Sequence, residues 1–224
     1  MIFQRAQLLL GEEHLQRLNT INVIIFGVGG VGSWCAEALV RTGITHLTIV
    51  DMDVVAESNV NRQLMATTKT IGEVKVKALK QRLQEINPDA DITDIEARFC
   101  EDTAKDFRLE DYDVIVDAID SLDDKRLLIE YACNTSARFY SSMGAALKVD
   151  PTMIRVAEFW KVKGCPLARA LRQRFKKLGH RPARKFLCVY SEEHRDATNG
   201  KGSIVQITGI FGFTLAGLIV NETK

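Results

Sequence analysis

The chain of 224 residues contains no C-x-x-C pair of cysteines. Its five cysteines are scattered along the sequence, at Cys35, Cys100, Cys133, Cys165 and Cys188. Closely spaced pairs are the usual sign of a structural zinc site, and a dense set of cysteines is the sign of a disulfide framework. We therefore expect no zinc and no disulfides, and free thiols are typical of the reducing cytoplasm.

Long apolar runs are also scarce. Near the N-terminus the longest run is three leucines, which is too short for the core of a signal peptide, so we do not expect secretion. One uncharged stretch, residues 202–220, approaches the length of a membrane span. It contains four glycines, two threonines and a glutamine, so we predict a buried helix and no membrane association.

The chain has neither a strong net charge nor an internal repeat. Its formal net charge is +1 and 46% of its residues are hydrophobic, which is enough apolar material for a real core. A chain of this length is too short for several large domains. We therefore expect one domain, with or without an appendage.

Short apolar runs alternate with amphipathic segments through the first two-thirds of the chain. The predicted strands are residues 23–26, 46–51, 91–97, 113–120 and 138–143. Helical segments lie between them, and a further strand is expected within residues 144–159. This alternation is typical of βαβ units. We predict an α/β fold with a Rossmann-like, mostly parallel sheet and helices on both faces.

A glycine-rich turn follows the first strand, where residues 26–39 read FGVGGVGSWCAEAL. Gly27, Gly29 and Gly32 form G-x-G-x-x-G between a strand and a helix, the context in which this motif binds phosphate. Backbone N–H groups can approach the phosphate closely there, and the helix N-terminus adds partial positive charge. Asp51, at the end of the second strand, is placed to accept hydrogen bonds from a ribose. This pattern predicts an adenosine-containing ligand and leaves NAD and ATP as alternatives.

Polar residues after Asp51 favour ATP. The amides and the guanidinium suited to phosphate oxygens are Asn59, Asn61, Arg62 and Gln63. Lys75 begins the next helix, where its ammonium could neutralise a triphosphate, and Asp120 ends the fourth predicted strand, where a carboxylate suits Mg²⁺. Arg62 and Lys75 could also be solvated charges, and Asp120 could be a helix N-cap. Their combination at strand ends favours ATP.

Acidic residues are missing from residues 161–185, which carry ten Lys or Arg residues. An amphipathic helix beginning at Pro166 is predicted within this basic segment. A solvated helix face is the simpler interpretation, but charge of one sign favours contact with nucleic-acid phosphates. The candidate RNA contacts are Lys163, Arg169, Arg172, Arg174, Lys176 and Lys177.

Residues 27–63, 72–89 and 116–125 resemble the ThiF/MoeB/HesA family, relatives of ubiquitin-activating enzymes that adenylate a carboxylate with Mg-ATP. The resemblance implies a phosphate-binding turn around Gly30, and Lys75 as the catalytic lysine. It also implies Asp120 as the metal-associated carboxylate. Arg5 stands where the family has an arginine that reaches the partner subunit's nucleotide, which implies a homodimer. The remaining nucleotide-binding and triphosphate candidates are Asp51, Asp53, Asn59, Arg62 and Ser121.

Later segments, residues 141–177, 189–193 and 202–213, are similar to one subgroup of this family, the tRNA threonylcarbamoyladenosine dehydratases. These enzymes activate the carboxylate of a modified adenosine in tRNA, which is then attacked intramolecularly to close a ring. The resemblance implies a cytoplasmic enzyme that uses ATP and acts on tRNA, with no DNA partner. Residues 194–201 form a shorter connection than this subgroup leads us to expect.

Two other functions stay open. In one, the enzyme adenylates the C-terminus of a sulfur-carrier protein, with Cys165 or Cys188 relaying the acyl group. In the other, the chain is a non-catalytic nucleotide-binding module that docks a cysteine desulfurase or a sulfur acceptor. For all three functions we predict an ATP-binding adenylation domain at 1–159. Residues 160–224 are predicted to form a basic substrate-side segment and C-terminal helix packed on that domain.

Overall fold

The computed structural model describes residues 2–196 and 200–223. Its helices are α1 (Gln4–Leu10), α2 (Glu12–Thr20), α3 (Gly32–Thr42), α4 (Lys75–Ile86), α5 (Leu122–Cys133), α6 (Pro166–Lys177) and α7 (Val205–Glu222). Its strands are β1 (Asn22–Phe26), β2 (His46–Val50), β3 (Asp91–Ile95), β4 (Val114–Asp117), β5 (Arg138–Ser142), β6 (Ile154–Glu158) and β7 (Leu187–Ser191).

The seven strands form one sheet in the order β3-β2-β1-β4-β5-β7-β6. All neighbouring pairs are parallel except β6 and β7, which are antiparallel. The prediction of a Rossmann-like, mostly parallel sheet is confirmed. The chain leaves β1 toward β2 on one side and returns to β4 on the other, so the strand order reverses there. Open α/β sheets bind ligands at the carboxyl ends of strands beside such a reversal.

Two hydrophobic clusters cover the two faces of the sheet. One contains buried residues of α3, α4 and α7, and the other contains buried residues of α5 and α6. The central strand β1 is buried on both faces from Val23 to Phe26. A strand covered on both sides needs a continuous apolar run, and this requirement explains why its sequence does not alternate.

The fourth strand ends earlier than its sequence indicates. The prediction that Asp120 ends it is wrong, because β4 stops at Asp117. The backbone N–H of Ile119 donates to the Asp117 carboxylate at 3.1 Å, and this local bond turns the chain out of the sheet. Asp120 therefore lies in the loop before α5, three residues beyond the last pair of the ladder.

Residues of the basic segment and those after it belong to the same folded body. Strand β7, which the sequence analysis did not identify, lies between β5 and β6 inside the sheet. Helices α1 and α2 were also missed. A basic C-terminal extension is therefore not confirmed, since residues 160–223 complete the sheet and add α7 to it.

Helix α7 corresponds to the predicted buried helix within residues 202–220 and packs against α3. A Cβ atom built at Gly212 would lie 2.5 Å from the Val31 carbonyl oxygen, so the glycine permits the two backbones to approach closely. Among the described residues, α7 is the one helix long and apolar enough to cross a membrane, and half of it is buried inside the protein.

Candidate functional site

A cavity of about 560 Å³ opens at the carboxyl edge of the sheet, beside the reversal of strand order. The ends of β1, β2 and β4 contribute Gly27, Asp51 and Ala118 to its wall. The loop after β5 contributes residues 143–148, and α6 contributes its first residues, Pro166 and Leu167. Its size and its position are those of a small-molecule site.

The glycines of the turn divide into two kinds. Gly27 has a φ of +85° and a Cβ atom there would lie 2.8 Å from the Ala118 carbonyl oxygen, while one at Gly32 would lie 1.9 Å from the Gly27 carbonyl oxygen. These two glycines allow strand, turn and helix to pack closely. Gly29 and Gly30 line the cavity just before α3, where a phosphate would meet the helix N-terminus.

The Asp51 carboxylate ties this turn to the next loop. One oxygen accepts a hydrogen bond from the Val28 N–H at 2.8 Å, and the other accepts one from the Asp53 N–H at 2.9 Å. Asp51 also lines the cavity, directly after β2. The residue predicted to bind ribose thus also holds the glycine-rich turn in place.

Lys75 begins α4, and its ammonium lies against the loop that follows β2. Its ammonium pairs with the Asp53 carboxylate at 2.7 Å, and both residues line the cavity. The Lys75 side chain is 7% exposed and that of Asp53 is 54% exposed. A buried ammonium held by a single exposed carboxylate is well placed to exchange that partner for phosphate oxygens.

The polar residues of the loop between β2 and α4 separate into two pairs. Arg62 and Gln63 line the cavity. Asn59 is buried and accepts a hydrogen bond from the Ala56 N–H at 3.0 Å, while the Asn61 amide donates to the Ser203 carbonyl at 2.8 Å. The structure therefore places Asn59 and Asn61 outside the cavity wall, where they hold the loop.

Asp120 and Ser121 line the cavity in the loop before α5. The Asp120 side chain is exposed. Among residues 2–196 and 200–223, no group of three or more potential metal ligands occurs. Mg²⁺ nevertheless binds through one or two carboxylates together with waters and substrate phosphates, so one carboxylate beside a phosphate-binding turn fits such a site.

A buried ion pair supports the cavity floor, and the sequence analysis did not identify it. Lys125 and Asp117 are fully buried with their charged atoms 2.8 Å apart. The Lys125 ammonium also donates to the Ile119 carbonyl at 2.8 Å, and the Ser141 hydroxyl donates to the Asp117 carboxylate at 2.7 Å. Burial raises the pKa of the Asp117 carboxyl, and the charge of Lys125 opposes that rise. This network holds the loop that carries Asp120.

Other missed residues reach the cavity from distant parts of the chain. Arg98 lines it and donates two hydrogen bonds to the Asp124 carboxylate, at 2.8 and 2.9 Å. Thr208 of α7 lies so close to the glycine turn that a Cβ atom at Gly30 would be 3.2 Å from it. Lys148 and Lys201 also line the wall. Only folding brings these segments together, and no local motif marks them.

A family model described as the ThiF family matches residues 3–223. The chain belongs to the ThiF family. The "tRNA threonylcarbamoyladenosine dehydratase" of Bacillus subtilis is 38% identical over 177 residues, which cover 79% of this chain and 70% of the relative. The Escherichia coli protein of that name is 32% identical over 238 residues, which cover 92% of this chain and 87% of the relative.

Solved structures agree with this membership. The structure of the E. coli tRNA N6-threonylcarbamoyladenosine dehydratase in complex with ATP matches with a TM-score of 0.92 at 32% identity. The match covers 99% of this chain and 93% of that one. A sulfur carrier protein adenylyltransferase of Thermus thermophilus is 33% identical over 123 residues, but the match covers only 55% of this chain. This ThiF-family chain thus resembles the dehydratases over more of its length.

The candidate nucleophiles of this ThiF-family chain are inaccessible. Cys165 and Cys188 are both buried. Burial raises the pKa of the Cys188 thiol well above its ordinary value. The thiolate is the nucleophilic form of cysteine, and buried thiols of this kind are normally inert. The geometry therefore gives no support to an acyl relay through either thiol.

Most of the basic candidates lie on the exposed side of α6, whose first turn borders the cavity. Arg172 is half-buried and donates to the Phe159 carbonyl at 3.0 Å, so it contributes to packing within the protein. Arg174 pairs with Asp123 at 3.0 Å. The candidates that are exposed and make no ion pair among the described residues are Lys163, Arg169, Lys176 and Lys177.

Arg5 lies away from the cavity wall, on α1. It is exposed, and none of the residues of α1 is buried. The neighbouring apolar side chains of Ile2, Leu8 and Leu9 are 66%, 77% and 84% exposed. Several large apolar side chains that are exposed within one short segment are common in interaction surfaces.

Proposed function

We propose that this ThiF-family chain is an ATP-dependent dehydratase that modifies tRNA. It activates the carboxylate of threonylcarbamoyladenosine and then closes a ring. The observation that carries the proposal is the single cavity wall formed by the glycine turn, by Lys75 with Asp53, and by Asp120. Relatives that carry the dehydratase name match most of the chain, and one of them has been solved with ATP.

In the first step, a carboxylate oxygen of the modified adenosine bonds to the α-phosphorus of ATP and pyrophosphate leaves. The backbone N–H groups of Gly29 and Gly30 would bind phosphate oxygens. Lys75 and Arg62 would stabilise the negative charge that develops on the transferring phosphate and on pyrophosphate. Lys75 would exchange its contact with Asp53 for these oxygens.

In the second step, an atom of the threonylcarbamoyl group attacks the activated carbonyl carbon, and the bond to AMP breaks. A ring forms within the substrate, so neither a thiol nor a carrier protein is required. The burial of Cys165 and Cys188 is consistent with this chemistry. A bound Mg²⁺, held by Asp120, would supply additional positive charge beside the phosphates. Asp51 would bind the ribose.

The active protein would be a cytoplasmic homodimer. The exposed apolar side chains of α1 would pack against the partner subunit, and Arg5 would reach the nucleotide of the partner. This arrangement would explain why α1 exposes both its apolar side chains and Arg5. A mixed-dimer experiment that tests it is given in the Discussion.

The exposed basic side chains of α6 would bind tRNA phosphates beside the cavity mouth. Each contact of a lysine or arginine with a phosphate releases condensed counterions. Specificity would come from the modified adenosine in the cavity, since bases in single-stranded RNA can be splayed out into a pocket.

The deciding experiment measures pyrophosphate release from ATP in the presence of tRNA that carries threonylcarbamoyladenosine. We expect release with this tRNA and none with a sulfur-carrier protein. Cys165→Ser and Cys188→Ser should keep the activity, because no thiol takes part. Release that depends on the carrier protein would establish the sulfur-carrier alternative, and release with neither substrate would overturn the enzymatic proposal.

A further inference from the structure

Lys148 is a buried cation on the wall of the cavity, in the loop after β5. The residue is 5% exposed. Its ammonium donates to the backbone carbonyl of Glu193. Within the part of the chain that the structure describes, no carboxylate lies within 4.0 Å of this ammonium. Among the described residues, Lys148 thus carries a buried charge without an ion-pair partner.

Glu193, whose backbone carbonyl accepts this hydrogen bond, uses its carboxylate for other contacts. The Glu193 carboxylate accepts hydrogen bonds from the backbone N–H groups of Val149 and Asp150, at 2.8 and 2.9 Å. It also lies 4.0 Å from the Arg195 guanidinium. Glu193 therefore anchors the backbone just after Lys148, and this contact keeps the lysine in its position at the cavity wall.

A buried ammonium that lacks a counter-ion is energetically unfavourable. An ammonium has three N–H donors, and the Glu193 carbonyl accepts from one of them. An anion bound in the cavity would supply both the missing charge and the missing acceptor. The position of Lys148 indicates which anion this is.

The cations expected to bind the triphosphate, Arg62 and Lys75, come from the loop after β2 and the start of α4. Lys148 belongs to the loop after β5. In the sheet, β1 and β4 lie between β5 and β2, so this loop approaches the cavity from the opposite side. Pro166 and Leu167 of α6 line the cavity as well, beside the exposed basic side chains of α6. The side of the cavity that holds Lys148 is therefore the one that faces the proposed tRNA surface.

We propose that the Lys148 ammonium binds the carboxylate of the substrate and holds it for attack on ATP. This inference rests on the proposed function, because it assigns a subsite within that reaction. Lys148 makes an ionic contact and gains or loses no covalent bond. It would select a substrate that carries a free carboxylate over an otherwise identical neutral one.

The test compares two tRNAs in the wild-type protein and in Lys148→Met. One tRNA carries threonylcarbamoyladenosine, and the other carries the same group with its carboxylate converted to a carboxamide. With a non-hydrolysable ATP analogue bound, we expect wild type to bind the acidic tRNA about tenfold or more tightly, as a charged hydrogen bond implies. Lys148→Met should bind both tRNAs with nearly equal affinity.

Four further measurements separate this role from other roles of Lys148. The affinity for the ATP analogue alone should not change in Lys148→Met, and the KM for modified tRNA should rise more than kcat falls. Lys148→Arg should restore part of the discrimination, because it keeps the charge. Lys105→Met, which removes an exposed lysine outside the cavity wall, should behave as wild type.

Equal binding of the acidic and neutral tRNAs by wild type would overturn the inference. This comparison uses only the wild-type protein, so it does not depend on whether a variant folds. An unchanged preference for the acidic tRNA in Lys148→Met would also overturn it, and a loss confined to ATP affinity would assign Lys148 to the nucleotide. These outcomes differ from failure of the proposed function. In that case, wild type would release no pyrophosphate with modified tRNA.

Discussion

The two sides of the cavity are built in different ways. The proposed nucleotide side comes mainly from residues 27–75, with Asp120 and Thr208 added from later in the chain, and its buried cation, Lys75, is already paired with Asp53. The proposed substrate side combines residues 143–148 with the first turn of α6, and its buried cation, Lys148, has no ion-pair partner among the described residues. A ligand on the first side would replace the internal partner of Lys75, whereas a ligand on the second side would bring Lys148 its first ionic partner.

Lys125 and Asp117 lie beneath both sides, so their removal should have the largest effect on stability. Lys125→Met leaves a buried carboxylate without its partner and should lower the free energy of unfolding by about 3–5 kcal/mol. The double variant Asp117→Leu/Lys125→Met should lose less of the free energy of unfolding, because neither charge then stays buried without its partner. Chemical denaturation of both variants measures this difference. A double variant no more stable than Lys125→Met would contradict it.

Lys75→Ala should reduce turnover with ATP by roughly 10²–10³-fold, the usual effect of removing one group that stabilises developing charge. Stability should change far less, because the partner carboxylate of Asp53 is more than half exposed. Lys77→Ala is the matched control, since it removes an exposed lysine of the same helix outside the cavity wall. If both variants lose the same turnover, Lys75 has no special role in the reaction.

Asp120→Ala should also lower turnover much more than thermal stability, because the side chain is exposed at the cavity. The loss should be accompanied by a higher Mg²⁺ concentration for half-maximal activity. Asp123→Ala is the control, with an exposed carboxylate nearby in α5 that does not line the cavity. An unchanged Mg²⁺ dependence of the residual activity would exclude Asp120 from the proposed metal site.

The homodimer proposal predicts complementation between two inactive variants. Arg5→Ala should lower turnover, and mixing it with Lys75→Ala should restore activity. Each mixed dimer then has one site with an intact Lys75 and an intact arginine from the partner. Turnover of the mixture, compared with each variant alone, is the measurement. Lack of any recovery in mixtures shown to exchange subunits would rule out a role for Arg5 across the interface.

The smallest predicted effect concerns the exposed basic side chains of α6. Arg169→Ala/Lys176→Ala/Lys177→Ala should weaken tRNA binding and make the log–log dependence of affinity on salt shallower by about two units. Lys69→Ala/Lys77→Ala/Lys105→Ala removes three exposed lysines outside the basic segment and is the control. If the dependence of log affinity on log salt concentration has the same slope as in wild type, this face of α6 is a solvated surface that does not contact tRNA.

Sequence reasoning was accurate where the structure depends on neighbouring residues. The strand, the glycine turn and α3 form through local contacts, so Gly27, Gly29 and Gly32 were recognisable as one unit. Lys75 was placed correctly at the start of α4, while β2 ends at Val50, one residue before its predicted end at Asp51. The predicted end of the fourth strand at Asp120 was wrong. The hydrogen bond from the Ile119 N–H to the Asp117 carboxylate ends the strand before the apolar pattern ends.

The sequence by itself determined the fold class and the local positions of the glycine turn, Asp51 and Lys75, because strand period, glycine spacing and helix starts are local properties. Only the tertiary structure decided that β7 enters the sheet between β5 and β6, and that Thr208 packs on Gly30. It also decided that Lys148 is buried with no carboxylate within 4.0 Å of its ammonium among the described residues. These features depend on contacts between residues far apart in the chain, and such contacts form only when apolar surfaces of separate segments are buried together.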